Sequence, residues 1–125
     1  MKKILSALII TISLSAFNIT NGLTDVVEAL KVGNANSVSK YFDNTVEISL
    51  SGKSNNYSKS QGEIILKDFF TNNTVKSFTV IHQGAAGDSE FCIGTLVTQR
   101  GNFRTTLNLK QKGDKKVLQE IKFEN

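Results

Sequence analysis

Apolar residues at Leu23, Val26, Val27 and Leu30 recur at i, i+3, i+4 and i+7, with Asp25, Glu28 and Lys31 on the other side; the spacing predicts an amphipathic helix. Ile19, four residues before Leu23, carries the stripe backwards together with Phe17. Gly33 can adopt the left-handed conformation that stops a helix, and Asn34 can cap a second one over Ala35 to Phe42, where Val38, Tyr41 and Phe42 share a face. Asp43-Asn44 reads as a turn, after which Thr45 to Leu50 alternates as a half-buried strand with Val46, Ile48 and Leu50 inward. Ser51 to Asn56 is polar and turn-forming, a hairpin tip or rim with nothing to bury. Ser58 to Gln61 matches a capping box and opens a third helix whose apolar face carries Ile65, Leu66, Phe69 and Phe70, ending at Asn72-Asn73.

The remainder reads as strands joined by turns. Val75 to His82 is followed by a loop over Gln83 to Asp88, then by a strand from Ser89 to Gln99 with Phe91, Ile93, Thr95 and Val97 on one side. Beyond a turn at Arg100 to Asn102, Phe103, Thr105, Leu107 and Leu109 alternate with polar residues; Lys112 to Asp114 then turns into a last strand, Lys116 to Phe123. No proline interrupts these runs. Helices first and a meander last predict an α+β, cone-like fold with N-terminal helices packed on one curved antiparallel sheet.

Composition sharpens this picture in two places. Lys2-Lys3, the apolar run Ile4 to Leu14 and the small residues Ser13, Ser15 and Ala16 form a secretory signal pattern, too short for the roughly 20 residues of a membrane span. Residues 1–16 are therefore expected to be a signal peptide, cleaved between positions 16 and 22, and residues 17–125 a single exported domain, periplasmic or extracellular, with no membrane span. Removing the signal leaves 13 basic against 11 acidic residues, a near-neutral balance that argues against a nucleic-acid partner. Cys92, the only cysteine, lies in the apolar run Phe91 to Val97 and reads as a buried small hydrophobe.

The order of elements resembles the nuclear-transport-factor-two-like (cystatin-like) superfamily, whose sheet wraps a long helix and leaves a pocket between them. More closely, Ala29-Leu30-Lys31-Val32-Gly33-Asn34-Ala35, Lys40-Tyr41-Phe42-Asp43, Tyr57-Ser58-Lys59, Leu66-Lys67-Asp68-Phe69-Phe70 and Ile93-Gly94-Thr95-Leu96 resemble a family of short secreted Bacteroidota proteins, domain of unknown function 4783. That resemblance implies the fold and no particular reaction. The wider superfamily implies either isomerisation or hydration of small hydrophobic molecules, or binding and oligomerisation alone.

Chemistry at such a pocket needs an acid or base and a polarising donor, and the candidates are few. Asp43, if buried beside Phe42 and Phe69, would have a raised pKa and serve as general base, with Tyr41 or His82 as donor. The simpler expectation makes Asp43 a solvated turn carboxylate and Tyr41 a core-edge ring with its hydroxyl in water. Strand alternation puts His82 with Phe78 and Val80, facing inward. Tyr41, Phe69, Phe70, His82, Phe91 and Phe103 are then the expected pocket lining. Asp88 and Glu90 are too loosely spaced for a metal, no phosphate loop or cofactor signature is present, and Lys112, Lys115 and Lys116 surround a turn as a solvated hairpin end. The leading expectation is an exported noncatalytic binding or scaffold module, holding a small apolar ligand between helix and sheet or self-associating through its outer sheet face. A cofactor-free isomerase or hydratase using Asp43 with Tyr41 or His82 is one alternative, and a cell-envelope protein-interaction module forming a homodimer through its sheet is another.

Overall fold

The break at Gly33-Asn34 is built as the sequence predicts in the computed structural model of the chain, which describes residues 22–125. Helix α1 (Gly22–Lys31) ends where Gly33, at φ +65°, donates to the Leu30 carbonyl and Asn34 N–H to that of Ala29. The Asn34 side chain then accepts from Ser37 N–H and caps α2 (Ala35–Ser39). The expected signal segment, its cleavage region and the backward stripe of Phe17 and Ile19 lie outside the described residues.

The second helix is shorter than its apolar spacing suggests, and Phe42 already opens β1 (Phe42–Leu50). Asp43-Asn44 is consequently no turn but part of a strand whose pairing with its neighbour is irregular between Phe42 and Glu47. Ser51 and Gly52, both at positive φ, make a two-residue hairpin turn into β2 (Lys53–Ser58), where a loop was expected. Every β2 residue but Tyr57 is exposed, so this edge strand has no buried face to impose alternation. Ser58 accepts from Gln61 N–H and caps α3 (Lys59–Asn72).

Strands β3 (Val75–Ala86), β4 (Ser89–Thr98), β5 (Gly101–Lys112) and β6 (Lys115–Glu124) complete one six-stranded sheet in the order β2-β1-β6-β5-β4-β3. The expected loop after His82 shrinks to a turn at Gly87-Asp88. The meander is antiparallel as predicted, but β1 pairs parallel to β6, making the sheet mixed rather than antiparallel throughout. A strand preceding α3 and one ending the chain have no local turn to fix their pairing, so periodicity alone does not reveal their direction.

Helices cover one face of the sheet. Val26, Leu30, Val38, Leu66, Leu107 and Phe123 are essentially inaccessible to water. Phe69 of α3 stacks on Phe123 at 4.4 Å between ring centroids and meets Phe103 edge-on at 5.2 Å, with Phe70 edge-on to Phe123 at 6.2 Å. On β4 the inward residues are Cys92, Leu96 and Thr98, leaving Phe91, Ile93, Thr95 and Val97 half-buried on the outer face.

Candidate functional site

Tyr41 and Asp43 lie where α2 hands over to β1, and each is committed to a partner distant in sequence. The Tyr41 hydroxyl donates to Asp25 Oδ2 at 2.5 Å across α1, where a hydroxyl in water was expected. That bond, together with burial, pushes the Tyr41 pKa up to about 12, keeping it a neutral donor. Asp43 keeps the expected bond from a nearby amide, Asn44 N–H at 2.8 Å, but also receives Lys112 Nζ at 2.7 Å and Gln119 Nε2 at 3.2 Å. Its side chain is only 12% exposed, yet the bond from Lys112 outweighs desolvation and holds the carboxyl below its ordinary range. A general base for neutral pH needs the opposite shift, so the alternative in which burial raises the Asp43 pKa is not met.

His82 is corrected too. The pairing of β3 with β4 slips between Val80↔Gly94 and His82↔Ile93, leaving Ile81 as an extra residue. One inserted residue reverses the alternation beyond it, so His82 joins Ile93 on the outer face instead of Phe78 on the inner one. There its ring lies 5.4 Å from that of Phe91, which itself covers Gly84. Between His82 on β3 and Asp43 on β1 stand β4, β5 and β6, on the order of 19 Å along the sheet. Asp43, Tyr41 and His82 therefore do not converge on one reacting atom.

The expected pocket lining divides in the same way. Phe69, Phe70 and Phe103 are buried core, Phe91 and His82 are outside, and Tyr41 is at the α1 side. Phe123, absent from the expected lining, fills the space beneath α3 against Phe69. Its alternation with Ile121 in the last strand was the available signal.

What the structure does bring together is a surface cleft of about 430 Å³, walled by Lys40, Lys59, Lys115 and Lys116 and floored by Tyr41 and Phe42. Lys40 comes from the end of α2, Lys59 from the start of α3, and the other two from the start of β6. Sequence spacing does not reveal this convergence, because it depends on the packing of α2 against α3 and on the pairing of β1 with β6. No helix among the described residues is long and apolar enough to cross a membrane, and these residues hold no group of three metal-ligating side chains.

A family model described as domain of unknown function (DUF4783) matches residues 23–124. The chain is similar to the crystal structure of a DUF4783 family protein from Bacteroides ovatus, at 36% identity over 81% of this chain and 92% of that one, with a TM-score of 0.79. A second such protein, from Bacteroides uniformis, is 34% identical over 82% and 94% of the two chains, also at 0.79. An NTF2-like protein of unknown function from Cytophaga hutchinsonii shares the fold at 8% identity, covering 84% of this chain and 87% of that one, with a TM-score of 0.60. Comparison with curated proteins finds no match. With the family model spanning all the described residues but the first and last, and relatives above one-third identity sharing its helix order and curved sheet, the chain belongs to the DUF4783 family and has the NTF2-like α+β fold.

Proposed function

We propose that this chain is an exported, noncatalytic interaction module that pairs with a second copy through the outer face of its sheet. The observation carrying this reading is the row Phe91, Ile93 and Val97 on outer β4, apolar and only half-buried in the single chain. His82 packs at one end of the row, and neighbouring Ile81 is 65% exposed. Beside the row, outer β5 and β6 carry both signs of charge in Arg104, Lys122 and Glu124, with Arg104 opposite Glu124. A two-fold contact sets a patch against itself, matching apolar row to apolar row and letting flanking charges of opposite sign meet.

Absence of catalysis is part of the proposal, supported by the commitment of Asp43 to Lys112 and of Tyr41 to Asp25. A small apolar ligand under α3 has less support, because the stacked Phe69 and Phe123 rings occupy that space. Export is supported by Lys2-Lys3 followed by the apolar run Ile4 to Leu14. Light scattering coupled to size exclusion tests the pairing. A dimer that Ile93→Lys converts to a folded monomer is the expected result; a wild-type monomer at the highest soluble concentration overturns it.

A further inference from the structure

We infer that the lysine-walled cleft is a binding site for a multiply charged phosphate group. This inference stands apart from the sheet face and rests on different residues.

The charge balance of the cleft is one-sided. Among the described residues Asp43 is the only carboxylate in its lining, and it is answered by Lys112 at 2.7 Å, by Asn44 N–H and by Gln119. Lys116 is answered by Glu90, and Asp25, on the far side of Tyr41, accepts the tyrosine hydroxyl. Lys40, Lys59 and Lys115 remain without a carboxylate partner among the described residues. The Lys59 ammonium is directed to the end of α2 by its bond to the Lys40 carbonyl at 3.3 Å, rather than swinging freely into solvent.

Three like charges from three separate segments, gathered in one concavity, repel one another and add nothing to stability. A hairpin end rich in lysine explains Lys115 and Lys116, but not the arrival of Lys40 and Lys59 opposite them. A cleft lined by one sign of charge focuses its field and raises the local concentration of counter-ions. The fourteen-residue α3 begins at Lys59, so the positive end of its dipole adds to that field. The volume, about 430 Å³, is within the range of small-ligand sites. With no arginine among the described residues of the lining, these residues offer no planar two-point grip suited to a carboxylate, whereas three compact ammonium charges suit a tetrahedral, multiply charged anion.

Such a group could arrive on a free phosphate ester or on a lipid headgroup at a membrane surface, and the test separates the two. Protein from expression of the whole chain is titrated with pyrophosphate at low salt, and co-sedimented with phosphatidylglycerol vesicles against neutral phosphatidylcholine ones. The triple variant Lys40→Gln, Lys59→Gln, Lys115→Gln is compared with Lys53→Gln, Lys67→Gln, Lys76→Gln. Both remove the same charge from exposed positions, and thermal melts verify that both fold. The cleft variant is expected to lose about tenfold in affinity while the control stays within about twofold. Pyrophosphate binding without vesicle binding supports a free ester, and preference for anionic vesicles supports a headgroup. Equal losses in the two variants, or wild-type protein that binds neither probe, overturn the inference.

Discussion

The hydroxyl of Tyr41 and the carboxylate of Asp25 meet at 2.5 Å, joining the residue that precedes β1 to the exposed side of α1. Tyr41→Phe removes that tie while leaving the ring, and it is expected to cost about 1 kcal/mol of stability in denaturant melts. The pH dependence has a definite sign. Because the folded Tyr41 pKa, about 12, lies above the ordinary 10.0, the bond's contribution is complete below pH 10 and is lost between the two values. The wild type should therefore lose more stability than the phenylalanine variant as pH rises through that window.

Asp43→Asn tests the rim ion pair. Lys112 is half exposed, so the pair itself contributes modestly, and the bonds from Asn44 and Gln119 bring the expected loss to about 1 kcal/mol. Here the folded pKa lies below the ordinary 3.8, so the stabilisation is fully present above that value and is lost as pH falls from it through the lower folded pKa. Acid unfolding followed by circular dichroism should show a smaller drop in the asparagine variant than in the wild type. A raised acid sensitivity in the variant would contradict the assignment of Lys112 as partner.

Phe69→Ala empties the centre of the aromatic cluster beneath α3. With Phe103 and Phe123 left facing a void, the expected cost is about 3–5 kcal/mol by equilibrium unfolding. A loss below about 1 kcal/mol would mean that the space is not closed in solution, and would restore a cavity to consideration.

Gly33→Ala challenges the helix break. At φ +65° an alanine is strained, and its Cβ would lie 2.9 Å from Val75 Cγ2, so both backbone and packing oppose it. A loss of about 1–2 kcal/mol in thermal melts is expected.

Much of the fold was legible because its signals are local. The Leu23 to Leu30 stripe, the Gly33-Asn34 break, the Ser58 cap and the four meander strands each depend on residues within a few positions of one another. What escaped depends on distance or on a missing face. Strand β2 lies at an edge and buries almost nothing, so its sequence carries no alternation. The extra residue at Ile81 has no signature of its own, yet it turns His82 to the outer face, and the strand order, equally hidden from local spacing, sets three strands between His82 and Asp43. The partners that decide the chemistry of Tyr41 and Asp43, namely Asp25 and Lys112, lie 16 and 69 positions away and become neighbours only through tertiary packing, of α1 against α2 for Asp25 and of the sheet for Lys112.

That parallel pairing also governs the order in which the molecule can assemble. Among the described residues the β1–β2 hairpin has no strand neighbour other than β6, so residues 59–114 must be made before the early hairpin can join the sheet. Closing so long a loop is slow, and the waiting hairpin presents an unpaired edge meanwhile.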